Sequence, residues 1–150
     1  MKNKPIAIDL KKLPLQTKIS AHCFITSTML KSLYENSPEF QEVSKSYYYP
    51  KMNIIVNRLL EHCNIKVLVD VDDYDYFYGY IIYKKIDEKT VKVYYTYIKF
   101  PHRKMGLATA LIDKYCSDYK ILYCFKTIAM LRWLKEGKNK GYNIEYVEGV

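Results

Sequence analysis

The sequence contains little glycine and little proline, with five of each among its 150 residues. This low content excludes collagen-like repeats and flexible linkers, which are rich in one or both residues. Long apolar runs are also absent, because the longest, Phe77–Tyr83, is far shorter than the roughly 20 residues of a membrane-spanning helix. The sequence shows no signal-peptide pattern at its start, which would be a charged segment followed by an apolar core and a cleavage site. We therefore expect a cytoplasmic protein without a membrane segment.

The cysteines form no metal-binding pattern, since none belongs to a Cys-x-x-Cys pair and their spacing matches no zinc site. Their positions are Cys23, Cys63, Cys116 and Cys124. Four aspartates within residues 70–75 offer an alternative cation site, but a solvated hairpin tip is the favoured interpretation. We expect no metal ion, and free, mostly buried thiols in a reducing compartment.

The balance of residue types is that of one globular domain over residues 1–150, with 49% apolar and 27% charged residues. A chain of this length buries about two-thirds of its unfolded surface and needs no disulfide or metal to fold. The 24 basic residues outnumber the 16 acidic ones, which gives a net charge of +8. This charge favours an anionic partner such as a nucleotide cofactor, nucleic acid or an acidic protein. A basic surface without such a role remains the alternative.

The first half of the chain predicts one strand followed by three helices. Residues 5–10 have the pattern of a short strand, and Thr26 and Ser27 cap a helix that ends at Asn36. Ser37-Pro38-Glu39 is typical of a second helix start, with proline in the first turn and an acid at the positive end of the helix. Apolar residues at helical spacing predict a third helix over residues 50–63.

The second half begins with segments rich in β-branched and aromatic residues, separated by short polar turns, which predict three antiparallel strands. Helix, strand, helix and strand follow, an order that places a parallel pair beside the meander. The predicted segments are strands 65–70, 76–86 and 91–100, helix 107–116, strand 121–125, helix 127–136 and strand 141–147. The predicted class is α/β (α+β), a mixed, mostly antiparallel sheet flanked by helices. Its many tyrosines are expected to pack across strands, with a base-stacking surface as the alternative.

A strand, a tight basic turn and the start of a helix lie together at residues 97–112. The first amides of a helix have no acceptor within it, and the helix dipole is positive there. Gly106 lets a ligand approach the backbone, and Ala108 leaves room beside it. Arg103 and Lys104 add positive charge. These residues predict a pyrophosphate site.

This segment resembles the GNAT superfamily of acyl-CoA-dependent N-acyltransferases. The superfamily signature is Arg or Gln, two residues, Gly, one residue, then Gly or Ala, and residues 103–108 match it position for position. The resemblance implies acetyl-CoA as cosubstrate and a GNAT-like sheet in which two parallel strands splay apart opposite residues 121–125. It implies that pantetheine binds the strand end at Ile98, Lys99 and Phe100. It implies that the pyrophosphate binds the turn and first helical turn, namely Arg103, Lys104, Met105, Gly106, Leu107, Ala108 and Thr109.

The sequence departs from the GNAT pattern at the residues that usually transfer protons. Lys126 replaces a common Asn, and Trp133 replaces the Tyr that protonates the leaving thiolate in many members. An indole N–H is too weak an acid for that role, so Trp133 is expected to pack in the core or against the cofactor. Residues 92–100 also contain no acid. The remaining candidate catalytic residues are Tyr95, His102 and Tyr142.

The resemblance implies an N-acetyltransferase that moves an acetyl group from acetyl-CoA to an amine of a protein, a small molecule or an aminoacyl-tRNA. The basic charge favours an acceptor on an anionic carrier such as tRNA. A catalytically degenerate GNAT-fold interaction protein, of viral origin for example, is the first alternative, and a basic nucleic-acid binder is the second. A homo-oligomer is compatible with each of these.

Overall fold

The computed structural model describes residues 4–136 and 141–150, and within them six strands form one sheet. The strands are β1 (Pro5–Asp9), β2 (Asn64–Asp70), β3 (Asp73–Lys85), β4 (Thr90–Ile98), β5 (Lys120–Tyr123) and β6 (Asn143–Tyr146). The helices are α1 (Leu15–Asn36), α2 (Lys45–His62), α3 (Leu107–Cys116) and α4 (Ile128–Lys135). Single 3-10 turns cover Leu10–Lys12, Pro38–Phe40 and Phe100–His102. None of the helices in these two ranges is long and apolar enough to cross a membrane.

The strands lie in sequence order, β1 to β6, across the sheet. The first four pair antiparallel, whereas β4, β5 and β6 pair parallel. This arrangement confirms the predicted fold class. Helices α1 and α2 cover one face of the sheet, and α3 packs against the other, so each face has its own apolar core.

The helices of the first half differ from the prediction. Helix α1 begins at Leu15, ahead of the predicted capping residues Thr26 and Ser27, and its buried side includes the small residues Thr17 and Ala21. The predicted second helix is wrong, since Pro38–Phe40 forms one 3-10 turn. Helix α2 begins at Lys45 and contains Pro50.

The start of α2 is held by a tyrosine that sequence periodicity did not reveal. Tyr48 is 1% exposed, and its hydroxyl donates a hydrogen bond of 2.7 Å to the carbonyl of Leu30 on α1. Pro50 removes the N–H that would bond to Ser46, which ordinarily breaks a helix. The burial of Tyr48 therefore fixes the first turns of α2 in spite of the proline.

Aromatic side chains stabilise the centre of the sheet. Tyr80 on β3 is fully buried and lies opposite Tyr97 on β4, with ring centroids 5.6 Å apart in a stacked arrangement. This is the cross-strand packing that was predicted. Beside this pair the two strands approach closely at Gly79, where a Cβ atom would lie 2.1 Å from the Tyr97 carbonyl oxygen. Only glycine fits there.

Candidate functional site

The site predicted from sequence lies where β4 and β5 separate. The two strands pair from Thr90 and Lys120 as far as Val93 and Tyr123. Strand β5 then ends, whereas β4 continues to Ile98 and stays paired with β3 on its other edge. We call the gap between residues 94–98 of β4 and the chain after Tyr123 the β4–β5 opening. The predicted splayed parallel pair is thus confirmed.

A β-bulge lies at the start of the β4–β5 opening. Ile82 of β3 pairs with Tyr95 and Tyr83 pairs with Val93, so Tyr94 is an extra residue on β4. An extra residue reverses which face of the sheet the following side chains occupy. Val93 belongs to the α3 face, and Tyr95 belongs to the α1 face. Backbone groups of β4 beyond the bulge therefore border the opening on the side that β5 has left.

The backbone between β4 and α3 turns sharply through residues in the left-handed region. Lys104 has φ 66° and Gly106 has φ 76°. We call residues 103–109 the Gly106 corner. The first backbone bond of α3 runs from the Ala110 N–H to the Gly106 carbonyl at 2.9 Å. Among the described residues, no acceptor is bonded to the N–H groups of residues 104–109. Open amides at the positive end of a helix are groups that can hydrogen-bond an anion.

Arg103 shapes the Gly106 corner, but its own backbone N–H is already bonded and is not one of the open amides. Its backbone N–H donates to the Phe100 carbonyl at 3.2 Å, and its Nε donates to the Ile98 carbonyl at 2.7 Å. The guanidinium carbon lies 5.6 Å from the centroid of the Phe100 ring, which is 78% exposed. Of the Arg103 groups that were predicted to bind pyrophosphate, only the free N–H groups of the guanidinium therefore remain candidates.

The strand end predicted to bind pantetheine is already bonded in part. The Lys99 N–H donates to the Tyr78 carbonyl of β3 at 2.8 Å, and the Ile98 carbonyl accepts from Arg103. Phe100 begins the 3-10 turn that ends at His102. The open backbone edge of β4 therefore lies closer to the bulge, at residues 94–97, than the sequence indicated.

His102 lies on the β3 side of β4, away from β5. Its Nε2 is 2.7 Å from the Tyr76 hydroxyl, and its ring centroid is 4.5 Å from that of Tyr78. Because β3 and β5 flank β4 on opposite sides, these contacts direct the imidazole away from the β4–β5 opening. The geometry does not bring His102 to the point where the strands part.

Tyr142 lies at the other end of the parallel strands. It precedes Asn143, which pairs with Lys120 at the beginning of β5, whereas the strands part beyond Tyr123. Its hydroxyl donates to Asp113 Oδ1 at 3.0 Å. Partial burial and the Asp113 carboxylate raise the pKa of Tyr142. This phenol is therefore a weaker acid than a free tyrosine.

Tyr95 is the one candidate catalytic residue that lies at the β4–β5 opening. Its ring centroid is 6.5 Å from that of Phe125, which follows β5. The hydroxyl is 2.6 Å from Ser32 Oγ on α1, and burial raises its pKa to about 12. A phenol with this pKa keeps its proton at neutral pH, so Tyr95 is suited to hydrogen bonding more than to proton release.

Trp133 joins α4 to the Gly106 corner. Its Nε1 donates to Thr109 Oγ1 at 3.0 Å, and its ring stacks on Tyr142 at 5.8 Å between centroids. Trp133 is half-buried and packs against the core of the α3 face, in agreement with the first of the two expectations for it.

The thiol near the opening is unreactive. Burial raises the pKa of Cys124 to about 11, so its thiolate is scarce at neutral pH. Cys63 and Cys116 are also buried, Cys23 is exposed, and all four cysteines are free, as expected.

Glu39, which the sequence placed at a helix start, is an exposed charged residue whose carboxyl interacts with the chain that follows the paired part of β5. It lies in the 3-10 turn between α1 and α2. Its carboxyl interacts electrostatically with Lys126 and Cys124, which follow the last paired residue of β5, and with Tyr146 of β6. No local sequence signal indicates this position, because residue 39 and residues 124–146 meet only in the folded chain.

Comparisons with solved structures agree with the fold. No protein-family model matches the sequence, and no curated protein matches it either. One similar structure is a histone acetyltransferase HPA2 and related acetyltransferase from Corynebacterium glutamicum, at 14% identity and TM-score 0.58, covering 90% of this chain and 84% of that one. A ribosomal-protein-alanine N-acetyltransferase from Brucella melitensis has 15% identity and TM-score 0.57, with coverage of 99% and 98%. A proposed acetyl transferase from Pyrococcus furiosus has 14% identity and TM-score 0.59, covering 98% of both chains.

Proposed function

Because the chain has the fold of the GNAT acetyltransferases, we propose that it binds acetyl-CoA at the β4–β5 opening and transfers the acetyl group to an amine. The observation that carries this proposal is the set of open amides at residues 104–109, which lies at the end of the strand that borders the opening. The pyrophosphate of acetyl-CoA fits such amides, because it is an anion that accepts several hydrogen bonds.

The backbone supplies most of the binding in this proposal. The Gly106 corner holds the pyrophosphate, and Lys104 adds positive charge beside it. The open edge of β4 at residues 94–97 hydrogen-bonds the amides of pantetheine, which directs the thioester toward the bulge at Tyr94. Backbone N–H groups there polarise the thioester carbonyl. These contacts place the carbonyl carbon within reach of an amine and so lower the barrier by proximity.

The reaction is a displacement at the thioester. The nitrogen of a neutral amine bonds to the carbonyl carbon, the carbon–sulfur bond breaks, and coenzyme A leaves as a thiolate that takes a proton. The amine must first lose the proton that it carries as an ammonium ion. The net charge of +8 favours an acceptor attached to an anionic carrier, such as aminoacyl-tRNA, because phosphate attraction is independent of sequence.

A melting scan tests the cofactor. Acetyl-CoA at 100 times its Kd stabilises a protein by about 2.7 kcal/mol, which is about 5–11 °C in Tm for a chain of this size. Potassium chloride at the same ionic strength is the control for general screening of a basic surface. A Tm that acetyl-CoA leaves unchanged, or that potassium chloride raises equally, contradicts the proposed site.

A second candidate function is a GNAT-fold protein that binds acetyl-CoA without transferring acetyl. The observation that favours it is Trp133, whose indole is bonded to Thr109 where many GNAT members have an acidic phenol. Thiol release from acetyl-CoA, measured with peptides, spermidine and aminoacyl-tRNA as acceptors, separates the two. Stabilisation by acetyl-CoA without thiol release favours the second candidate.

A further inference from the structure

Thr96, in the part of β4 that borders the β4–β5 opening, carries a hydroxyl without a hydrogen-bond partner. Its Oγ1 is buried, and none of the residues that the structure describes bonds to it. Ser37 Oγ, in the turn between α1 and α2, is the other side-chain oxygen of this kind in the described ranges. Buried hydroxyls are nearly always bonded, because an unpaired one has lost its bonds to water without replacement. An unpaired hydroxyl beside an opening points to a ligand that supplies the missing bond.

The strand register places Thr96 on the α3 face of the sheet. Thr96 pairs with Ile81 of β3, which is fully buried in the core of the α3 face. Residues directly opposite each other on antiparallel strands have their side chains on the same face. Tyr95 and Tyr97, the neighbours of Thr96 in the chain, both pack in the core of the α1 face, as the alternation along a strand requires. Thr96 is therefore the first α3-face residue of β4 after Val93, the last residue that pairs with β5.

The Gly106 corner lies on the same face of the sheet. Leu107 and Ala108, at the start of α3, pack against the core of the α3 face. This face also contains a small cavity of about 10 Å³ where the pairing of the parallel strands ends, and Val93, Tyr123 and Trp133 are among the residues that line it. A cavity of this size holds about one water molecule, so packing does not fill the α3 face at the opening completely. A ligand whose anion binds the open amides and whose chain enters the opening on this face runs along the part of β4 that includes Thr96.

We propose that the Thr96 hydroxyl hydrogen-bonds the pantetheine arm of acetyl-CoA and so determines specificity for acyl-CoA over other molecules that contain a pyrophosphate. This inference rests on the proposed function. The pantetheine arm contains two amide groups, and a threonine hydroxyl can donate to a C=O of these amides or accept from an N–H. The open amides of the Gly106 corner do not make this distinction, because ADP presents the same pyrophosphate to them.

A hydroxyl that waits for a ligand has opposite effects on stability and on binding. Thr96→Val keeps the shape of the side chain and removes the unpaired hydroxyl, so the free protein should become more stable. The same change should weaken the binding of acetyl-CoA, because the valine side chain offers pantetheine no hydrogen bond. A hydroxyl with only a structural role would behave differently, since its removal lowers the Tm. A higher Tm together with a lower affinity therefore identifies a group that serves the ligand.

The experiment compares the wild type with Thr96→Val, Thr96→Ser and Ser37→Ala by melting curves and by isothermal titration with acetyl-CoA and with ADP. We expect Thr96→Val to raise the Tm of the free protein by about 2–4 °C and to bind acetyl-CoA about 2–12-fold more weakly. Thr96→Ser keeps the hydroxyl and should bind acetyl-CoA nearly as the wild type does. Ser37→Ala removes the other unpaired hydroxyl and should leave the affinity unchanged. All three variants should bind ADP as the wild type does.

The outcomes separate this inference from the proposed function. An acetyl-CoA affinity that Thr96→Val leaves unchanged overturns the role of Thr96 and leaves the proposed function standing. An equal loss of affinity in Thr96→Ser or in Ser37→Ala, a parallel loss for ADP, or a lower Tm in Thr96→Val has the same consequence. A wild type that does not bind acetyl-CoA overturns both proposals. If the wild type binds ADP too weakly to measure, the comparison of the three variants with acetyl-CoA decides.

Discussion

Replacement of Gly106 by alanine tests whether the backbone at the start of α3 binds the cofactor. Gly106 has φ 76°, and an added Cβ atom would meet nothing within 4 Å. The cost of the substitution therefore comes from the left-handed backbone and not from a clash. This conformation costs a residue with a side chain about 1–2 kcal/mol, which lowers Tm by about 2–8 °C.

Gly141 provides a matched control for this strain. It has φ 82°, its added Cβ would also meet nothing within 4 Å, and it lies before β6, outside residues 103–109. Gly141→Ala should therefore lose about as much stability as Gly106→Ala. The two variants should differ in cofactor binding, because only Gly106→Ala disturbs the direction of the amides at residues 104–109.

The assay is isothermal titration with acetyl-CoA together with a melting curve of each variant. We expect Gly141→Ala to bind as the wild type does and Gly106→Ala to bind at least tenfold more weakly, which corresponds to about 1.4 kcal/mol. Equal affinity in the wild type and both variants would refute the reasoning. A loss of affinity in both variants would show that strain, and not the position of the amides, limits binding.

Two further predictions concern stability. Trp133→Phe and Thr109→Val should each lower the free energy of unfolding by about 0.5–1.5 kcal/mol, because each removes the hydrogen bond between the two side chains. In urea titrations the double variant should lose less free energy than the sum of the two single losses, and additive losses would contradict the bond. The free energy of unfolding should fall between pH 10 and 12, since burial raises the pKa of Tyr83 and of Tyr95 to about 12. In this pH range the unfolded chain releases phenolic protons that the folded chain retains, which favours the unfolded chain as the pH rises. Tyr95→Phe should make this fall less steep, and an unchanged slope would contradict the assignment.

The sheet and the turn at the Gly106 corner could be predicted from the sequence, because both depend on residues that are close together along the chain. The meander follows from alternating apolar strands and polar turns, and the corner follows from glycine and basic residues where a strand meets a helix. Helix α1 was predicted too short, because Thr17 and Ala21 are buried through small side chains that weaken the apolar pattern. Local composition therefore predicts elements better than it predicts their ends.

The places of the candidate catalytic residues relative to the β4–β5 opening could not be predicted, because they depend on pairing between distant segments. Tyr142 was one candidate, but the register of β5 with β6 places it at the far end of the parallel strands. His102 was another, and its contact with Tyr76 of β3 directs it away from β5. The local sequence contains no information on either placement.

The extra residue at Tyr94 has a consequence for how the opening changes during evolution or design. Because side chains along a strand alternate with period two, a single surplus residue moves Tyr95 and Tyr97 to the α1 face, at the point where the pairing with β5 ends. The side chains that each face receives beyond the bulge are therefore set by the number of residues in β4 as well as by their identity. Deletion of one residue there would turn Tyr95 and Tyr97 toward the α3 face, whereas a point substitution leaves the alternation unchanged.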